Sequence, residues 1–156
     1  MHDPILGTRT LHWPDEAACA ASAAALAGQT TLRDAFVELQ GPLGAGKTTF
    51  VRHLLRALGV SGRIKSPSYA VLEPHIAGDL AISHFDFYRF SDPREWLDAG
   101  FREVFAAPGL KLAEWPEKAA GQLPRPDLRL RIEVLHDESR QVTLDALTPR
   151  GRDLLP

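Results

Sequence analysis

Residues 41–48 read Gly-Pro-Leu-Gly-Ala-Gly-Lys-Thr, which fits the pattern G-x-x-x-x-G-K-[ST]. The chemistry explains each residue type. Glycines adopt positive φ and let backbone amides come close to phosphate oxygens. A helix starting at the end of such a loop points its free N–H groups and positive dipole end at an anion. Lys47 would reach the β- and γ-phosphates, the Thr48 hydroxyl would bind Mg²⁺, and Thr49 would cover the α-phosphate. Pro42 has no N–H, so the cradle must be made by the amides of Leu43, Gly44, Ala45, Gly46, Lys47, Thr48 and Thr49. These types at this spacing imply a nucleoside triphosphate held with Mg²⁺. They leave ATP and GTP both open, although no guanine-reading N-K-x-D is present.

Two carboxylates would complete such a site. Asp86 lies 38 residues after Thr48, in the alternating run His84, Asp86, Tyr88. It suits the water-bridged Mg²⁺ carboxylate that a strand beside the glycine loop supplies. Its alternative is a surface ion pair with Arg89. Glu114 closes the apolar run Leu110–Ala113, at the carboxyl end of a strand, where ligands of open α/β sheets bind. It would hold the metal's water shell or orient an attacking water. Trp115-Pro116 would place an indole near the nucleotide or simply pack. Lys65-Ser66-Pro67-Ser68 reads as a γ-phosphate-sensing loop or as a plain turn. The six histidines show no metal-ligand spacing, and no G-x-S-x-G is present for a serine nucleophile.

The elements that must position these groups alternate strand and helix. A first strand is expected at Thr10–Trp13, then a helix capped near Asp15, running over Ala17–Ala27 and stopped by Gly28. Ala35–Leu39 reads as a strand feeding the loop. Lys47–Leu58 reads as a helix, because Phe50, Val51, Leu54, Leu55 and Leu58 share one face. Strands follow at Tyr69–Glu73 and Ala81–Tyr88, with a turn at Pro74–Asp79 between them. Ser91-Asp92-Pro93 starts a further helix. Leu128–Leu135 and Gln141–Ala146, around the turn His136–Ser139, predict a closing β-hairpin. The expected fold is α/β, with helices on both faces of a mostly parallel sheet mixed at the hairpin edge.

A length of 156 residues fits one domain spanning 1–156. A net charge of −2, with scattered arginines, offers no basic stripe for wrapping nucleic acid unaided. Cys19 is the only cysteine, which fits a reducing cytoplasm. No apolar run approaches the roughly 18 residues of a membrane span.

Taken together, the ordered segments 41–52, Lys-Ser-Pro-Ser-Tyr (65–69), His-Phe-Asp-Phe-Tyr-Arg (84–89), Asp-Pro-Arg-Glu (92–95) and Glu-Trp-Pro-Glu (114–117) resemble the TsaE (YjeE) family. The resemblance runs from about Trp13 to Leu155. It implies a P-loop NTPase fold, three-layered with a mixed sheet, and ATP held by residues 44–49. It places Mg²⁺ on Thr48 and Glu114, a functional aspartate at Asp86, a switch-like loop at Ser66–Ser68 and a nucleotide-proximal tryptophan at Trp115. It also implies partners, TsaD and TsaB, which transfer threonylcarbamoyl to an adenosine of tRNA. The family member hydrolyses ATP to support that transfer. Pro42 stands where the family often has an acidic residue, and Cys19 where it often has Thr. Two other readings use the same loop: a small-molecule kinase, which needs an acceptor pocket, and a nucleotide-gated binding module with little turnover.

Overall fold

A computed structural model describes residues 4–67, 70–92, 94 and 100–156. Seven strands pair into one sheet: β1 (Gly7–Trp13), β2 (Phe36–Gln40), β3 (Leu72–Ala77), β4 (Leu80–Asp86), β5 (Leu110–Glu114), β6 (Leu128–Val134) and β7 (Arg140–Ala146). Their spatial order is β1-β7-β6-β2-β5-β4-β3. Strands β6, β2, β5 and β4 run parallel through the centre. Both edges are antiparallel: β6–β7–β1 on one side and the β3–β4 hairpin on the other.

The second mixed edge corrects the sequence expectation. The segment expected as a turn, Pro74–Asp79, is mostly strand β3, and only Gly78-Asp79 turns between the paired residues Ala77 and Leu80. Pro74 misleads because it lacks a ladder donor, yet an edge strand tolerates it. Gly78, at φ 62°, supplies the positive dihedral that a two-residue hairpin turn needs.

Period-two alternation sorts the side chains between two cores. Val37, Leu39, Ile82, Leu110 and Leu112 join an aliphatic cluster on one face. Phe36, Phe85 and Ala113, at the intervening positions, join an aromatic cluster on the other. Each fully buried Phe or Leu contributes about 1.5–3 kcal/mol relative to an exposed one. Over the aliphatic face lie α1 (Glu16–Ala27) and α2 (Lys47–Leu58). Helix α1 buries Cys19, Ala23 and Leu26, and its N-cap Asp15 accepts from the Ala18 amide at 3.0 Å. Such a cap stabilises a helix by about 1 kcal/mol. Helix α2 buries the predicted stripe of Phe50, Val51, Leu54 and Leu55.

On the aromatic face, Phe101 of α3 (Phe101–Ala106) packs edge-on against Phe85, with ring centroids 5.3 Å apart. The predicted helix start at Pro93 lies outside the described residues, as do Tyr69 and Ser68.

At the amino ends of β2 and β6, Asp127 gathers the chain. Its Oδ2 accepts from the Phe36 amide at 2.8 Å and its Oδ1 from the Thr148 hydroxyl at 2.7 Å. Thr148 caps the short α4 (Pro149–Asp153). Gly151 passes so close that a Cβ there would sit 1.7 Å from the Asp127 carbonyl oxygen. Among the described residues, no helix is long and apolar enough to cross a membrane.

Candidate functional site

The parallel strands β2, β4 and β5 deliver their carboxyl ends to one rim of the sheet, and the loop 41–46 leaves β2 there to enter α2. The loop's shape depends on glycine. Gly41, Gly44 and Gly46 have φ of 153°, 78° and 112°. A Cβ on Gly41 would lie 2.7 Å from the Ile132 carbonyl oxygen, so no other residue fits the close approach to β6. The Ala45 amide closes a turn on the Pro42 carbonyl at 3.1 Å. Leu43, at the loop's crest, is 67% exposed.

A cavity of about 290 Å³ opens along this loop, lined by residues 43–49 with Asp86, Tyr88, Glu114, Trp115 and Arg140. The expected site residues therefore converge, although Asp86 and Glu114 lie far from the loop in sequence. Parallel pairing explains it: Asp86 is the register partner of Glu114 across β4 and β5.

Glu114 is 2% exposed, and both its oxygens are engaged. Oε1 accepts from the Thr48 hydroxyl at 2.8 Å, and Oε2 lies 2.6 Å from His84 Nε2. Asp86 is less enclosed, and its Oδ1 accepts from the Tyr88 amide at 2.9 Å. Burial raises the Asp86 pKa, the Glu114 charge adds to this, and the Tyr88 amide opposes it. Strand β4 ends at Asp86, so the expected extension of the alternation to Tyr88 does not occur.

Lys47 crosses the cavity floor. Its Nζ donates to the Gly41 carbonyl and sits 3.5 Å from the centroid of the Trp115 ring. Burial lowers its pKa, while Glu114, Glu117 and Asp86 pull the other way. Trp115 takes φ 55°, a left-handed conformation that non-glycine residues seldom adopt and that concentrates at working sites. That turn places the indole over Lys47, with the Tyr88 ring 4.9 Å away.

The sequence reading gave no role to Arg140. Its Nε donates to the Ala45 carbonyl at 3.0 Å and its Nη2 to the Gly44 carbonyl at 3.2 Å. It thereby forms a wall between the loop cavity and a second one of about 270 Å³, lined by Trp13, Asp15, Cys19, Thr49 and Glu138 among others. Strand β7 begins at Arg140, one residue before the predicted start. Carrying the alternation of Leu144 and Val142 back one step puts Arg140 on their face of the sheet, but that pattern does not name the loop as its partner.

The donors present suit a magnesium nucleotide. Mg²⁺ commonly takes one or two protein oxygens and completes its shell with water and phosphate. The Thr48 hydroxyl beside the Glu114 carboxylate offers that pair. Lys47 has three N–H donors, of which the Gly41 carbonyl takes one, leaving two for phosphate oxygens.

Comparison with known proteins shows the family and the fold. Residues 13–142 match the family model described as threonylcarbamoyl adenosine biosynthesis protein TsaE. A Haemophilus influenzae protein named tRNA threonylcarbamoyladenosine biosynthesis protein TsaE is 40% identical over 119 residues, 76% of this chain and 75% of that one. A Bacillus subtilis protein of the same name is 36% identical, over 72% of this chain and 70% of its own. The crystal structure of Bacillus subtilis YdiB superposes with a TM-score of 0.80 at 28% identity, covering 95% of this chain and 91% of that one.

Proposed function

Since the chain belongs to the TsaE family, whose name ties it to tRNA threonylcarbamoyladenosine biosynthesis, we propose that it is a P-loop ATPase serving that pathway. In this reading it binds ATP with Mg²⁺ and hydrolyses it to support threonylcarbamoyl transfer to tRNA by TsaB and TsaD. The observation that carries the reading is the contact between Thr48 and Glu114, made beside Lys47 at the mouth of the sheet.

The residues divide the work. The amides of residues 43–49 and the first turn of α2 face the phosphates, and Lys47 spans the bridging region where charge builds up. Thr48 and Glu114 would hold Mg²⁺, which would supply positive charge beside the phosphates. Glu114, with both oxygens occupied, is poorly placed to take a proton from water. Asp86 is the better acceptor: it is open to the cavity, and burial raises its proton affinity above that of an ordinary aspartate. Trp115 and Tyr88 cover the mouth and keep Lys47 away from bulk water.

The test is phosphate release by the full chain, alone and with TsaB, TsaD and tRNA. Stimulation by the partners is expected, and Lys47→Ala should lower the stimulated rate at least about 100-fold. A Lys47→Ala variant that still turns over at the wild-type rate would remove the proposal. Phosphate appearing on an added acceptor rather than in solution would make the protein a kinase.

A further inference from the structure

His84 has no part in the division of work above, yet it touches the group at its centre. It lies on β4 between Ile82 and Asp86 in the alternation, on the face that carries α2. Its side chain is 1% exposed, and its Nε2 is 2.6 Å from Glu114 Oε2. A glutamate's terminal torsion is broad and imposes little orientation of its own. With Thr48 alone as a partner, the Glu114 carboxylate would be free to turn about that single contact. The second contact, on the other oxygen, fixes its plane.

The other ring nitrogen shows which proton is where. Nδ1 of His84 is buried and has no hydrogen-bond partner among the described residues. A doubly protonated ring would bury an unsatisfied N–H, which costs more than a bare lone pair. The carboxylate, in turn, only accepts. Both conditions are met by the neutral tautomer with its proton on Nε2. His75 lies diagonally across the β3–β4 hairpin on the same face, and its Nε2 is likewise buried without a partner.

We propose that His84 is a positioning residue: by donating Nε2–H to Glu114 Oε2, it holds Oε1 in the orientation that meets Thr48, and so sets how tightly the site takes a divalent cation with nucleotide. The proposal rests on the magnesium-nucleotide reading of the site. Partners that orient a metal ligand typically change metal affinity 10- to 100-fold when removed.

The experiment uses the full-length protein, ADP and MgCl₂. Calorimetry measures ADP affinity across a Mg²⁺ titration and again in EDTA, for wild type, His84→Leu and His84→Gln. His84→Leu should raise the Mg²⁺ midpoint about tenfold and leave the affinity in EDTA within about twofold. His84→Gln keeps an N–H donor at nearly the same reach and should stay within about threefold of wild type. A His84→Leu midpoint equal to that of wild type, or a His84→Gln loss as large as that of His84→Leu, overturns the proposal. Wild type that binds ADP with no Mg²⁺ dependence sinks the underlying reading, and the role of His84 with it. Should His84→Leu fail to fold, long-range proton–nitrogen NMR of the wild type decides. A proton on Nε2 that shifts in Glu114→Gln supports the proposal, and a proton on Nδ1 overturns it.

Discussion

The two flanks of the glycine loop are built from different chemistry. On the β4–β5 flank, side chains bind side chains: Thr48 to Glu114, Glu114 to His84, Lys47 to the Trp115 ring. On the hairpin flank, Arg140 binds the loop's own carbonyls, at Gly44 and Ala45. The first flank arranges functional atoms that a ligand would meet. The second shapes the backbone that presents the amides. Removing a group from one flank should therefore change a different measured quantity from removing a group on the other.

The largest effect is expected on the acidic flank. Glu114→Gln keeps the shape and loses the charge, and turnover should fall about 100-fold while nucleotide still binds in EDTA. Phosphate release at saturating ATP checks it, and unchanged turnover would remove Glu114 from the chemistry. Arg140→Ala should act on the other quantity. Losing charge-assisted bonds to two loop carbonyls should weaken nucleotide binding about five- to tenfold, with turnover at saturation close to wild type. If it lowers turnover as far as Glu114→Gln does, the contrast between the flanks is wrong.

A smaller effect concerns the nucleotide-free protein. Burial raises the Asp86 pKa, so its ionisation costs folding stability. The cost is absent below the unfolded carboxylate pKa, grows as pH rises through the raised folded value, and is complete above it. Asp86→Asn should therefore melt above wild type at pH 7 and level with it near pH 3, by thermal unfolding. Equal melting temperatures at both would show that the carboxylate sits more comfortably than its surroundings imply.

The smallest response belongs to Cys19, in the cavity behind Arg140. Burial, aided by the Glu16 charge, pushes its thiol up to about 11, against a weaker pull from Arg140. At pH 8 about one thiol in a thousand would be thiolate, so iodoacetamide should label the folded protein far more slowly than the unfolded chain. Rapid labelling would mean that this cavity opens freely.

What was legible in the sequence follows the same division. The loop from Gly41 to Thr48 and its helix are local patterns, readable within a dozen residues. Glu114 was readable because it ends an apolar run, and strand ends are where such sheets keep their ligands; Asp86 was readable from the alternating run His84, Asp86, Tyr88. Arg140 was not, because its contacts span 95 and 96 positions and nothing near it marks the loop as its target. His84 was visible in the alternation, but its partner on β5 emerges only from strand order. Strand β3 was hidden by Pro74, whose effect depends on being at an edge, a property of the whole sheet rather than of the segment.

The Asp127 junction has a practical consequence for measuring motion. One carboxylate fastens the starts of β2 and α4 at the end of the sheet away from the loop, and Gly151 leaves no slack between them. That end is a natural origin of coordinates. A spectroscopic label near it, paired with one at the exposed crest residue Leu43, would report displacement of the mouth alone when nucleotide or a partner arrives.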